Sequence, residues 1–311
     1  MKSNLIVTSS PHLRTDRSTR SIMQEVCIAL LPAGIAGIVY FGFNSLALMI
    51  ASVLACVVSE YLFQRINHQK ILIGDWSAVV TGLLLAYNLP ADAPLWIAVV
   101  GGVIAIVLVK QCFGGLGGNF MNPALTARAI LFVSWADIMS SYPATRFMVD
   151  SSSGATPLMQ IQNGENVRVL DLLVGNCGGV IGETCKLAII AGGLYLIFRG
   201  IVDWRIPLTF ILTTFICYLI SDGAYNSLLQ ILSGGLMLGA FFMATDYVTC
   251  PMSELGRIIM GIGCGLLVFV IRKYASYIEG CSFSILFMNV MTPLIDRFTA
   301  GKTFGEVKNR G

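Results

Sequence analysis

Apolar residues run along this chain in long blocks separated by short polar breaks. A helix needs ~20 apolar residues to cross the hydrocarbon layer of a bilayer, fewer where it is broken and paired with another short segment. On that rule the blocks at 22–42, 45–63, 95–112, 183–199, 206–221, 226–245, 257–271 and 281–296 predict membrane-crossing helices. Two shorter blocks, 76–89 and 123–136, bring the number to ten. The stretch 170–182, LDLLVGNCGGVIG, predicts a glycine-interrupted lead-in to the helix at 183–199. The pattern is that of an all-α integral membrane protein.

Composition narrows the picture further. Charged residues make up 12% of the 311 positions, against roughly 25% in a soluble domain. Apolar residues reach 56% before the 32 glycines are counted, and mean hydropathy is +0.77. So few charges cannot cover a soluble surface, which excludes a cytosolic enzyme, a disordered chain and a nucleic-acid binder working through a basic face. No apolar core with a small-residue cleavage site follows the polar first twenty residues, so no removable secretory signal is expected. The nine cysteines form no C-x-x-C and no close pair, and no protein-held metal site is expected.

The basic residues orient the spans. With the N-terminus inside, fourteen Lys and Arg fall on internal segments and four (Arg146, Arg168, Arg272, Lys273) on external ones, while Arg128 and Lys186 lie within spans. That bias predicts both termini on the cytoplasmic side of the inner or plasma membrane. The arrangement divides into an N-terminal arm at 1–20, five helices at 21–136, an external loop at 137–169, five helices at 170–296 and a tail at 297–311. Five spans on each side of the loop make the halves inverted, with broken or half helices among them. Phe120-Met121-Asn122 recurs as Phe287-Met288-Asn289, each soon followed by proline. Glycine-rich short helices (82–86 and 234–240) precede each copy. Two Gly/Leu-rich stretches can also resemble one another by chance.

Candidate chemistry lies in two loops. The external loop carries Ser153-Gly154-Ala155-Thr156-Pro157-Leu158, residues that on their own form turns in any loop. The second is Gly114-Gly115-Leu116-Gly117-Gly118-Asn119-Phe120-Met121-Asn122-Pro123. It lacks the Lys-Ser/Thr of a phosphate-binding P-loop, and its glycines could simply let a half-helix turn and pack. Ionisable residues within or near the spans are Glu60, Arg128, Glu183, Lys186, Asp246 and Asp296. Such groups are costly in hydrocarbon and face a cavity, a partner or a pathway. Glu183 and Lys186, three apart, predict an ion pair on one helix. Interfacial water is the other reading for Asp296 and Glu60.

Ser-Gly-Ala-Thr, Gly118 to Ala129 (GNFMNPALTARA), Gly182-Glu183-Thr184, Met237 to Asp246 (MLGAFFMATD) and Glu279-Gly280 through Met288-Asn289 are spread along the chain. Together they resemble, in family order, the membrane proteins that include the D subunit of Rnf complexes and the B subunit of the sodium-pumping NADH:quinone reductase. The similarity covers about Asp16 to Asp296, and the short N-terminal arm is closer to the Rnf form. Tyr247 departs from the proline expected after Ala-Thr-Asp. The resemblance implies FMN joined by a phosphoester to Thr156 within Ser153, Gly154 and Ala155, a riboflavin near Asn119 and Asn122, and an ion path through Glu60, Glu183, Asp246 and Asp296. It also implies the A, B, C, E and G subunits of an Rnf complex as partners, a flavin transferase for maturation, and coupling of ferredoxin:NAD+ electron transfer to sodium or proton movement. A threonine on an open loop would be accessible to the transferase, and an amide offers a flavin edge both donors and acceptors. No dinucleotide-binding βαβ pattern is present, so NAD is expected to bind a partner. A non-redox channel or carrier on the same inverted-repeat fold, or a purely structural subunit, would share the spans and the charge bias.

Overall fold

The computed structural model describes residues 17–146, 156–165, 167–275 and 280–299. Those residues are 72% helical and hold no strand. The helices are α1 (Thr19–Phe41), α2 (Phe43–Ile66), α3 (Ser77–Tyr87), α4 (Leu95–Val103, continuing as a π-helix through Ile104–Gln111), α5 (Pro123–Ser134), α6 (Ala136–Met139), α7 (Pro157–Gln162), α8 (Val169–Val174), α9 (Lys186–Phe198), α10 (Arg205–Asp222), α11 (Ala224–Leu232), α12 (Leu236–Leu238, continuing as a π-helix through Gly239–Met243), α13 (Glu254–Tyr274) and α14 (Cys281–Thr299).

Each of the ten predicted blocks holds helix, but the helices differ in reach. Among the described residues only α1, α2, α10 and α13 are long and apolar enough to cross a bilayer by themselves, and α11 with α12 and its π-extension makes a fifth span bent by 67°. At 1.5 Å per residue the 11 residues of α3 cover ~16 Å, about half the hydrocarbon layer. The 12 residues of α5 and 13 of α9 are similarly short. The lead-in at 170–182 is α8 followed by turns, so the span predicted from 183 starts at Lys186.

The long helices carry apolar residues on their outer faces as well as their inner ones. On α1, Ile28, Leu31, Ile35 and Val39 are all more than half exposed. A helix apolar all round belongs in lipid, and this is a multi-pass membrane protein.

Packing pairs the elements in a recurring way. α2 packs on α3 and α4, and α10 packs on α11 and α13. α1 packs on α9, and α5 on α14. A short non-helical crossing lies between: Gly182 N donates to Tyr87 O at 2.9 Å and Ile181 N to Leu89 O at 3.2 Å. The repeated tripeptide takes a different local structure in each copy. Asn122 is the N-cap of α5 with Pro123 as its first residue, whereas Asn289 and Pro293 lie inside α14. The recurrence of Phe-Met-Asn therefore marks two different local structures.

Candidate functional site

A cavity beside the sequence candidates spans about 740 Å³ counted out to its open mouth. Its walls come from α1, α3, the loop before α5 and the two π-helical stretches. π-helical turns are rare and cluster at functional sites; here Lys110 comes from one, and Phe241 and Phe242 from the other. The loop reaches the cavity because Gly114, Gly115 and Gly117 take φ of 103°, 89° and 96°, a region that side chains disfavour. Asn119, Asn122 and Asp246 all line this cavity.

Their roles differ. Asn122 is buried, its side-chain oxygen accepting from Ala124 N at 3.1 Å and Leu125 N at 3.3 Å, while its Nδ2 donates to Met243 O at 3.3 Å. Its amide is committed to capping α5 and tying it to the second π-helix. Asn119 spends one donor on Met121 O at 3.0 Å, and its oxygen accepts no hydrogen bond among the described residues. Asp246 is half-buried, and its Oδ2 accepts from Thr249 Oγ1 at 3.4 Å. Tyr247, the departure noted in the sequence, donates its hydroxyl to Ile201 O.

Behind the cavity wall lies a charged network in which sequence reasoning saw only Glu60. Lys110 Nζ donates to Glu60 Oε1 at 2.8 Å and to Ser77 Oγ at 2.6 Å. Gln111 Nε2 donates to the same Glu60 oxygen at 2.7 Å. Ser77 Oγ in turn donates to Asp75 Oδ1 at 2.7 Å. Glu60 Oε2 has no partner among the described residues. Glu60 and Lys110 are 1% and 2% exposed, so Glu60 is not solvated at an interface, and Lys110, counted among the internal basic residues, is a buried ion-pair partner rather than a free flanking charge. Its position inside the apolar block 95–112 was the available signal.

Thr156 borders a second cavity, of about 320 Å³, with Glu183, Thr184 and Lys186 in its lining. Lys186 begins α9, while the first cavity touches Leu196 and Ile201 at its other end, so the cavities are separated by about the ~20 Å length of that helix. Thr156 Oγ1 caps α7, accepting from Met159 N at 3.4 Å, and the residue is 6% exposed. The expected open-loop hydroxyl is thus enclosed here. Ser153, Gly154 and Ala155 lie outside the described residues.

Glu183 and Lys186 do not share the one helix that their spacing predicts. Glu183 precedes α9, and Lys186 Nζ donates to the backbone carbonyls of Glu183 and, at 2.6 Å, of Gly234. The Glu183 carboxylate stands 3.9 Å from Arg128 Nη1. Arg128 also donates to Asn88 Oδ1 at 3.1 Å and Ser282 Oγ at 2.6 Å, joining α5 to α14. Arg272, counted as external, is buried and donates to Gln230 O at 2.6 Å and Ser233 O at 3.1 Å. Asp296 lines neither cavity; its Oδ1 accepts from Met252 N at 3.0 Å ahead of α13.

The model of the NQR2, RnfD, RnfE family matches residues 6–305. This chain belongs to that family. It is 52% identical to the D subunit of the Na+-translocating ferredoxin:NAD+ oxidoreductase complex of Acetobacterium woodii, over 98% of this chain and 96% of that protein. It is 39% identical to the D subunit of the proton-translocating ferredoxin:NAD+ oxidoreductase complex of Clostridium ljungdahlii, over 98% of each. With the D subunit of the ion-translocating oxidoreductase complex of Alcanivorax borkumensis the identity is 35% over 99% of each. The relatives' names differ in the ion they move, so family membership leaves the ion open.

Proposed function

We propose that this chain is the D subunit of an ion-translocating ferredoxin:NAD+ oxidoreductase complex. In this reading it carries FMN esterified to Thr156 and works beside the A, B, C, E and G subunits, after maturation by a flavin transferase. Its two five-helix halves are inverted repeats, a reading supported by the matched packing of α1 on α9, α5 on α14, and α2 and α10 on their neighbours. Both termini face the cytoplasm and the Thr156 loop faces outward.

The observation that carries the cofactor assignment is the setting of Thr156. The residue borders a cavity whose lining includes Thr184, and Thr184 Oγ1 is buried without a hydrogen-bond partner among the described residues. An orphaned hydroxyl is a ready donor to a phosphate oxygen. Lys186 brings a positive charge to the same lining, beside the Glu183 carboxylate. FMN held there would supply one- and two-electron carriage. Thr156 would supply the attachment oxygen, and Thr184 and Lys186 would hold the phosphate.

A riboflavin bound in the 740 Å³ cavity would have Val80, Leu84, Phe241 and Phe242 as apolar walls and Asn119 as its polar group. Asn122 acts there through the backbone it caps. Ion movement draws on Glu60, Glu183, Asp246 and Asp296, with sodium and protons both open.

The test uses the chain made in cells that contain the flavin transferase. After denaturing electrophoresis the wild-type band should fluoresce under ultraviolet light, and Thr156→Val should be dark. A dark wild-type band, or a fluorescent Thr156→Val band, overturns the assignment.

A further inference from the structure

Where α9 turns into α10, two further cavities adjoin; the polar one shares Ile201, Val202, Thr245 and Tyr247 with the 740 Å³ cavity, and the apolar one shares Phe241 with it. One is an apolar groove of about 890 Å³ between α9 and α10, with Leu194, Leu208, Leu212 and Phe215 among its walls. The other, of about 940 Å³, is lined by Asp203, Arg205, Tyr247 and Arg257. Ile197 and Trp204 line both. Trp204 is 53% exposed, and Arg205 stands 5.8 Å from its ring. An exposed tryptophan at the end of apolar helices marks the depth of lipid headgroups.

The lining of the polar cavity holds two arginines. Arg205 and Arg257 share Asp203 Oδ2, at 3.0 and 2.6 Å, so two guanidinium groups face one carboxylate in the lining. Arg205 reaches Glu254 at 2.9 Å, outside the cavity lining and 74% exposed. Arg257 Nε donates to Pro251 O at 3.1 Å, and its Nη2 makes no hydrogen bond among the described residues. A guanidinium edge of this kind binds a phosphate oxygen.

We propose that these cavities form a binding site for one anionic phospholipid, its acyl chain lying in the α9–α10 groove and its phosphodiester on Arg257 and Arg205. A basic pocket beside an apolar interhelical groove selects acidic headgroups, and each buried methylene strengthens the hold. Neither cavity alone would specify such a ligand. The groove takes any alkyl chain and the basic pocket any small anion, but the shared wall of Ile197 and Trp204 requires both in one molecule.

The full chain in mild detergent, offered equal dioleoyl phosphatidylglycerol and dioleoyl phosphatidylcholine, should retain one phosphatidylglycerol by native mass spectrometry, with a preference of fivefold or more. Arg257→Gln should reduce that preference about fivefold, the equivalent of one basic contact. Leu208→Trp, which fills the groove, should lower retention of both lipids. Phosphatidylglycerol with a photoreactive acyl chain should label residues 194–215. Equal retention of the two lipids, an unchanged preference in Arg257→Gln, displacement by inorganic phosphate alone, or labelling elsewhere each overturns the proposal. So does cross-linking of Leu208 to a neighbouring protein in the assembled complex, since protein would then occupy the groove. Should Arg257→Gln fail to fold, the wild-type photolabel and Leu208→Trp decide.

Discussion

The backbone N–H of Asn122 donates to the side-chain oxygen of Asn289 at 3.1 Å, with the Asn289 amide oriented so that its nitrogen donates to Ile285 O at 3.3 Å. One residue caps α5 and the other lies within α14, so this bond joins those two helices at the edge of the 740 Å³ cavity. Both residues are buried. Asn289→Leu keeps the volume but removes the acceptor, leaving the Asn122 N–H unmet. That should cost about 1–3 kcal/mol, while Asn122→Ala should cost about 1 kcal/mol or more through loss of the cap. Thermal unfolding in detergent checks both, and an unchanged midpoint in Asn289→Leu would show the bond to be idle.

Glu60 and Lys110 should behave as a coupled pair. Removing one partner of a buried ion pair leaves an uncompensated charge, at a cost of about 3–5 kcal/mol, whereas removing both is often neutral. Lys110→Met is therefore expected to destabilise strongly. Glu60→Gln with Lys110→Met should recover most of the loss. Additive effects of the two single substitutions on the unfolding midpoint would contradict this.

The helices were legible because lipid demands long apolar runs, and a run survives even where its boundaries shift. The cap of α5 was legible too, since Asn122-Pro123 ahead of an apolar stretch is a helix-start signal. What was not legible depends on contacts between distant segments. Lys110 reads as a terminal positive charge until α2 brings Glu60 to it, and Thr156 reads as an open-loop hydroxyl until α7 folds onto the bundle. Glu183 and Lys186 have helical spacing, but the helix starts too late for Glu183 to join it. Counting charges by side points to an orientation without revealing that Arg272 is buried against α11.

Gly192 sets the closeness of α1 and α9. A Cβ built there would lie 2.1 Å from Ala29 O and 3.1 Å from the Phe242 ring. The first neighbour is backbone and cannot swing aside, so Gly192→Ala must push the helices apart, at about 1–3 kcal/mol. Membrane helices use small residues for such contacts. Gly74→Ala, with nothing within 4 Å of its built Cβ, should leave the midpoint unchanged and serves as the control.

Acid should loosen the joint between α10 and α13. Burial alone raises the Asp203 pKa, but the Arg205 backbone N–H and the Arg257 and Arg205 guanidinium groups outweigh it and hold the carboxyl below its ordinary value. A carboxylate with a depressed folded-state pKa contributes stability that is present above its unfolded value and lost as pH falls through the folded one. The unfolding midpoint should accordingly be insensitive to this group at neutral pH and decline below about pH 4. Asp203→Asn should be less stable than the wild type at pH 7, because both arginines lose their shared anion, and the gap should narrow as the wild type acidifies. A gap that stays constant from pH 7 to pH 3 would mean that the carboxylate charge contributes nothing to this joint.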